Sequence, residues 1–65
     1  MNEATIRAQL AQLEDGETAS VGGYLVEFQR HNANSWVIWP MWSSEVPYVG
    51  SIEEVAIELV RRTTK

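Results

Sequence analysis

Residues 18–30 read TASVGGYLVEFQR, in which two runs with alternating apolar residues flank the pair Gly22-Gly23. Glycine takes the positive φ angles of a two-residue turn without steric strain, so this segment predicts a hairpin of strands 18–21 and 24–30. The turn pairs Val21 with Tyr24, Ala19 with Val26, Glu17 with Phe28, Ser20 with Leu25 and Thr18 with Glu27. One face of the hairpin is therefore apolar, and the other is mostly polar.

A third strand is predicted at residues 35–39, SWVIW, after a segment whose two asparagines suit a tight reversal. Unlike the second strand, this strand is apolar on both faces. We prefer the register set by a turn at residues 32–33, although a shift of one residue would exchange the faces. The preferred register gives an inward pair, Val37 and Trp39, and an outward pair, Trp36 and Ile38.

The segment before the hairpin predicts a short amphipathic helix at residues 2–14. Apolar residues recur there at i, i+4 and i+7, namely Ile6, Leu10 and Leu13. Asn2 can accept a hydrogen bond from an amide of the first turn, and Asp15-Gly16 offers a left-handed exit from the helix. Both ends of this helix therefore have a sequence signal.

A second helix is predicted at residues 51–62. Ser51 and Glu54 form the pattern of a capping box, in which each side chain bonds the backbone of the other. An apolar stripe follows, made of Ile52, Val55, Ala56, Leu59 and Val60. Residues 40–50 are predicted to be a loop, because Pro40 cannot donate a strand hydrogen bond.

These elements predict an α+β fold with the order αβββα. The three apolar surfaces of the two helices and the sheet can share one core if both helices cover the same face of a three-stranded antiparallel meander. At 65 residues the chain has room for one core, so we expect residues 1–65 to form a single domain.

Composition limits the function classes that this chain can serve. It has no cysteine and a single histidine, His31, so we expect no disulfide, no metal site and no cofactor. The absence of cysteine favours a reducing compartment. The sequence begins without a signal peptide and contains no apolar run long enough to span a membrane, so we expect a cytoplasmic protein and no membrane partner.

The charge balance argues against nucleic acid. Five basic and nine acidic residues give a formal net charge of −4, which disfavours binding to phosphates. Arg30 and His31 are the cations closest to the predicted sheet. Aromatic side chains can stack on bases, but such surfaces normally also have a basic groove. A single-stranded nucleic acid binder is therefore our weakest alternative.

No group of residues indicates catalysis, and we expect a protein that is not an enzyme. Ser43-Ser44-Glu45 has no base with a sequence-defined place beside it, and His31 lies in a predicted turn. Gly22-Gly23 joins two strands, whereas a phosphate-binding loop leads from a strand into a helix.

The most informative feature is a surplus of large apolar side chains in the third strand and the loop after it. Three tryptophans fall within seven residues, from Trp36 to Trp42, and tryptophan and tyrosine are common anchors of protein interfaces. Strand alternation prevents all of them from entering one core, so part of the set should remain exposed. The predicted partner-binding residues are Leu25, Trp36, Ile38, Met41, Trp42 and Tyr48.

Two hypotheses account for this surplus. In the first, the chain is an adaptor or inhibitor that docks on a partner protein; small acidic cysteine-free proteins of this kind are frequent among phage and mobile-element accessory proteins that inhibit host machinery. In the second, the aromatic patch is the seam of a homodimer. The sequence does not separate these two hypotheses.

Overall fold

A computed structural model describes residues 2–42 and 44–64. It confirms the α+β class, with two helices and an antiparallel sheet of order β1-β2-β3-β4. The elements are α1 (Glu3–Leu10), β1 (Thr18–Val21), β2 (Tyr24–Gln29), β3 (Ser35–Trp39), β4 (Tyr48–Gly50) and α2 (Ile52–Thr63).

The first hairpin forms as predicted. Gly22 and Gly23 have φ angles of 58° and 88°, the left-handed conformation that a two-residue turn of this kind requires. The four predicted pairs within β1 and β2 are all present, from Val21 with Tyr24 to Thr18 with Glu27. The pairing continues one step further, because Phe28 N donates to Glu17 O at 3.1 Å.

A fourth strand corrects the prediction that residues 40–50 are a loop throughout. Residues 48–50 pair with β3, so that Tyr48 lies opposite Ile38 and Val49 opposite Val37. The strand is only three residues long and follows a proline, which hides its pattern in the sequence. It makes β3 an inner strand of the sheet, with β2 on one side and β4 on the other.

The preferred register of β3 is wrong, and the alternative register is the one that forms. Phe28 lies opposite Trp36, and Val26 lies opposite Ile38. Five residues connect β2 and β3, with Ala33 and Asn34 both at a φ of 55°, in place of the two-residue turn at residues 32–33. This changes the pairing by one residue and turns every side chain of β3 to the other face.

The core lies between the sheet and the two helices, which cover the same face of the sheet. Its fully or nearly fully buried residues come from both helices and from the first three strands: Ile6, Leu10, Val21, Val26, Ile38, Val55, Ala56 and Leu59. All are apolar, and no polar side chain of the described residues is buried with them. The predicted placement of both helices on one face is therefore correct.

Both helix starts agree with their capping signals, and the end of the first helix does not. Asn2 Oδ1 accepts from Thr5 N at 2.8 Å, and the capping box between Ser51 and Glu54 is complete. The first helix, however, ends at Leu10 and not at residue 14, because the next turn tightens to hydrogen bonds between residues three apart. Gly16 consequently lies in a turn that leads into β1, where its φ is 83°.

Candidate functional site

The face of the sheet opposite the helices, called here the outer face, presents large apolar side chains to solvent. The strand positions that point to it are Thr18, Ser20, Leu25, Glu27, Gln29, Ser35, Val37, Trp39 and Val49. Leu25 is 44% exposed, Trp39 is 40% exposed and Val49 is 51% exposed. An antiparallel sheet with one open face normally presents polar residues there, so these three positions need an explanation.

Trp39, the last residue of β3, is held in a fixed orientation on the outer face. Its Nε1 donates to Glu27 Oε1 at 3.0 Å across the diagonal of the β2–β3 pair. Leu25 lies directly opposite Trp39. Val37 is only 3% exposed, so the outer face has a packed centre although no helix covers it. The indole of Trp39 is therefore both accessible and constrained, as interface anchors are.

The loop after β3 extends the apolar surface towards the first hairpin turn. Met41 and Trp42 are both exposed. Met41 Sδ lies 3.5 Å from the position that a Cβ on Gly23 would take, so this side chain packs beside the turn. The surface formed by Leu25, Trp39, Met41 and Val49 is called here the outer patch.

Two of the six predicted partner-binding residues, Leu25 and Met41, lie in the outer patch and are exposed. Trp42 is also exposed, in the loop after β3. The remaining three lie on the helix-covered side of the sheet, where Ile38 is fully buried, and Trp36 and Tyr48 pack against the core. Trp39 and Val49 were missed, and a correct register of β3 with recognition of β4 would have identified both.

Trp36 has a structural position rather than an exposed one. Its Nε1 donates to the carbonyl oxygen of Leu10 at 3.1 Å, which satisfies a backbone group at the end of α1. Its ring lies 4.6 Å from the ring of Phe28, measured between centroids. The indole thus connects β3 to β2 and to the first helix.

A polar cluster attaches the loop before β4 to α2. Tyr24 Oη donates to Glu45 Oε1 at 2.9 Å, and Arg62 Nη2 donates to Val46 O at 3.1 Å. The hydrogen bond to Glu45 is the main reason that the pKa of Tyr24 is raised. The guanidinium of Arg62 also lies 5.7 Å from the centre of the Tyr24 ring. These contacts hold the loop through side chains from two other elements.

A shallow pocket of about 450 Å³ lies beside this cluster. Its lining is Tyr24, Ser44, Glu45, Val46, Arg61 and Arg62. The two buried atoms in it without a hydrogen bond, Glu45 Oε2 and Arg62 Nη1, carry opposite charges and lie 3.9 Å apart. At this distance Glu45 and Arg62 attract each other, while Arg61 is paired with Glu58 outside the lining.

Glu58 makes the stability of α2 and of this cluster dependent on pH. Hydrogen bonds from Arg61, and then from Arg62, lower the pKa of Glu58 from 4.5 to about 2, against the opposing effect of burial. A carboxylate with a lowered pKa stabilises the fold above its unfolded pKa and loses this contribution as the pH falls through its folded pKa. We expect a loss on the order of 2 kcal/mol between about pH 4.5 and pH 2.

Urea unfolding at a series of pH values measures this effect. The Glu58→Gln variant should show a shallower decline in unfolding free energy over this interval than the wild type does. Glu53→Gln, which changes an exposed residue on the same helix, should keep the wild-type decline. An identical decline in wild type and Glu58→Gln would show that the ion pairs of Glu58 do not contribute.

The other candidate chemical groups do not form a site in the described residues. His31 is exposed, with Nδ1 at 3.9 Å from Asp15 Oδ1. Within residues 2–42 and 44–64, no three residues of the types His, Cys, Asp and Glu are grouped so as to hold a metal ion. Ser43 lies outside the described residues.

Neither of the two described helices has the length and apolar character needed to cross a membrane.

Comparison with known proteins returns no match to this chain. No protein family model, no curated protein and no solved structure is significantly similar to it.

Proposed function

We propose that this protein is a small non-catalytic interaction module, an adaptor or inhibitor, that docks on a partner protein through its outer patch. The observation that supports this proposal most strongly is Trp39, an exposed indole on the open face of the sheet whose orientation is fixed by a hydrogen bond. Tryptophan is among the residues whose truncation costs most at protein interfaces.

The cytoplasm remains our proposed compartment, because the chain has no cysteine.

The outer patch has the composition of an interface core with a polar rim. Leu25 and Val49 flank the central strand, while polar residues such as Ser20, Gln29 and Ser35 lie around them. The indole of Trp39 loses little side-chain freedom on binding, because its hydrogen bond to Glu27 already orients it. Binding would therefore bury a preorganised surface and would work by occlusion or bridging, without chemistry at a reactive group.

Capture from a lysate of the source organism tests this proposal, with the wild type and two alanine variants as immobilised baits. Trp39→Ala should reduce capture of the specific partner about 30-fold or more, as expected for an interface anchor worth about 2 kcal/mol. Ile57→Ala removes an exposed apolar residue from α2, on the other side of the molecule, and should leave capture unchanged. Partner capture that is equal for wild type and Trp39→Ala would contradict the proposal.

A further inference from the structure

We infer that the partner protein presents an arginine to the outer face. Its guanidinium binds the carboxylate of Glu27 and lies beside the ring of Trp39. This inference rests on the proposed function and specifies the chemistry of the partner. It also argues against a two-fold dimer in which two outer faces meet.

Glu27 is the only charged residue among the strand positions that point to the outer face. It lies on β2, an inner strand of the sheet, between Leu25 and Gln29 on that face. A partner that covers Leu25 and Trp39 therefore also covers this carboxylate. Burying a carboxylate is costly unless a cation or hydrogen-bond donors satisfy it, so a well-matched partner supplies a positive group at this point.

The hydrogen bonds already made by Glu27 leave one oxygen available. Trp39 Nε1 at 3.0 Å and Gln29 Nε2 at 3.4 Å both donate to Oε1. Among the hydrogen bonds of the described residues, none is made to Oε2. A donor from the partner can thus bind Oε2 without displacing the contact that orients Trp39.

Arginine fits this arrangement better than lysine. A guanidinium can donate to a carboxylate while its plane stacks on an adjacent aromatic ring, and it is less strongly hydrated than an ammonium. Glu27 and Trp39 provide the carboxylate and the ring side by side, joined by their own hydrogen bond. A partner that covers Leu25 and Trp39 would exclude water from this pair and strengthen both interactions.

A second copy of this chain does not satisfy the same requirement. A two-fold dimer would place one outer face against another, and each face contributes a carboxylate and no cation. The described arginines lie on the helices (Arg7, Arg61 and Arg62) or in the turn between β2 and β3 (Arg30). Size does not exclude a dimer, because the molecule measures 32 × 27 × 16 Å and its broad face approaches the roughly 800 Å² per partner of a stable interface. The carboxylate of Glu27, and not the size of the face, therefore favours a cationic partner over a dimer through the outer face.

The test uses N-acetyl-arginine amide as the probe and follows the indole N–H resonance of Trp39 by NMR. We expect a saturable shift with this probe and none with N-acetyl-citrulline amide, its uncharged isostere. Glu27→Gln keeps the hydrogen-bond acceptor for Trp39 but removes the charge, and it should weaken binding about tenfold or more. Glu53→Gln removes the same charge from α2 and should bind like the wild type.

Each other outcome overturns the inference in a distinct way. No saturable shift up to about 0.1 M probe, or equal shifts with the citrulline analogue, would exclude an arginine site. Equal affinity of N-acetyl-lysine amide would exclude the specific preference for guanidinium. Light scattering should give a monomer across the concentration range, and a dimer that Trp39→Ala dissociates would assign the outer face to a second copy. The Trp39→Ala capture experiment tests the proposed function separately, because it requires no cation.

Discussion

Replacing Trp36 by alanine is expected to lower the free energy of unfolding by about 3 kcal/mol. The substitution removes the packing of the indole on Phe28 and leaves a gap between β3 and α1. It also removes the hydrogen bond that Trp36 Nε1 donates to Leu10 O. A 65-residue domain has a total stability of roughly 3–10 kcal/mol, so this loss removes about a third of it or more.

Trp39→Ala is the matched control, since it removes the same side chain from the opposite face of the same strand. Trp39 is 40% exposed and bonds only to another outer-face residue, Glu27. We expect its loss to cost no more than about 1 kcal/mol. Urea denaturation followed by circular dichroism measures both variants. If Trp39→Ala were the more destabilising of the two, the register of β3 would be the other one.

Replacing Ile38 by alanine is expected to destabilise the protein by about 2–5 kcal/mol. Ile38 is fully buried on an inner strand, where it lies opposite Val26 and Tyr48 and joins the core formed with both helices. Truncation removes three carbon atoms and leaves a cavity that a small, closely packed core can only partly fill. The more conservative change Ile38→Val should cost about 0.5–1.5 kcal/mol.

Ile57→Ala provides the same substitution at an exposed site. Ile57 is 55% exposed on α2, and alanine has the higher helix propensity, so we expect a change within about 0.5 kcal/mol of zero. Thermal and urea unfolding of the three variants beside the wild type would measure the series. A loss below about 1 kcal/mol for Ile38→Ala would contradict the assignment of Ile38 to the core.

The sequence predicted the first hairpin down to individual pairs, because a two-residue glycine turn has one geometry and therefore one register. It also predicted both helix starts, since capping depends on side chains within three residues of the helix end. The end of α1 was less well defined. Leu13 still packs against the core after the helix has ended, so its apolar spacing resembled another helical turn.

The candidate site was predicted in part, for reasons that differ between its residues. Leu25 belongs to the hairpin with the glycine turn, so its exposure followed directly from local chemistry. Trp39 and Val49 depended on the turn before β3 and on the three-residue strand β4, neither of which has a strong local pattern. The existence of exposed aromatic side chains was predictable, but the identity of the tryptophan on the outer face was not.

The amino-acid sequence by itself determined the fold class, the first hairpin, the helix caps and the excess of apolar side chains over what one core can hold. Only the tertiary structure decided which side chains of β3 face the helices. A strand that is apolar on both faces has no preference of its own, and changing the turn by one residue exchanges Trp36 and Trp39. The contacts that settle the choice come from elements outside β3. Trp36 bonds to Leu10 of α1, and Ile38 pairs with Tyr48 of β4.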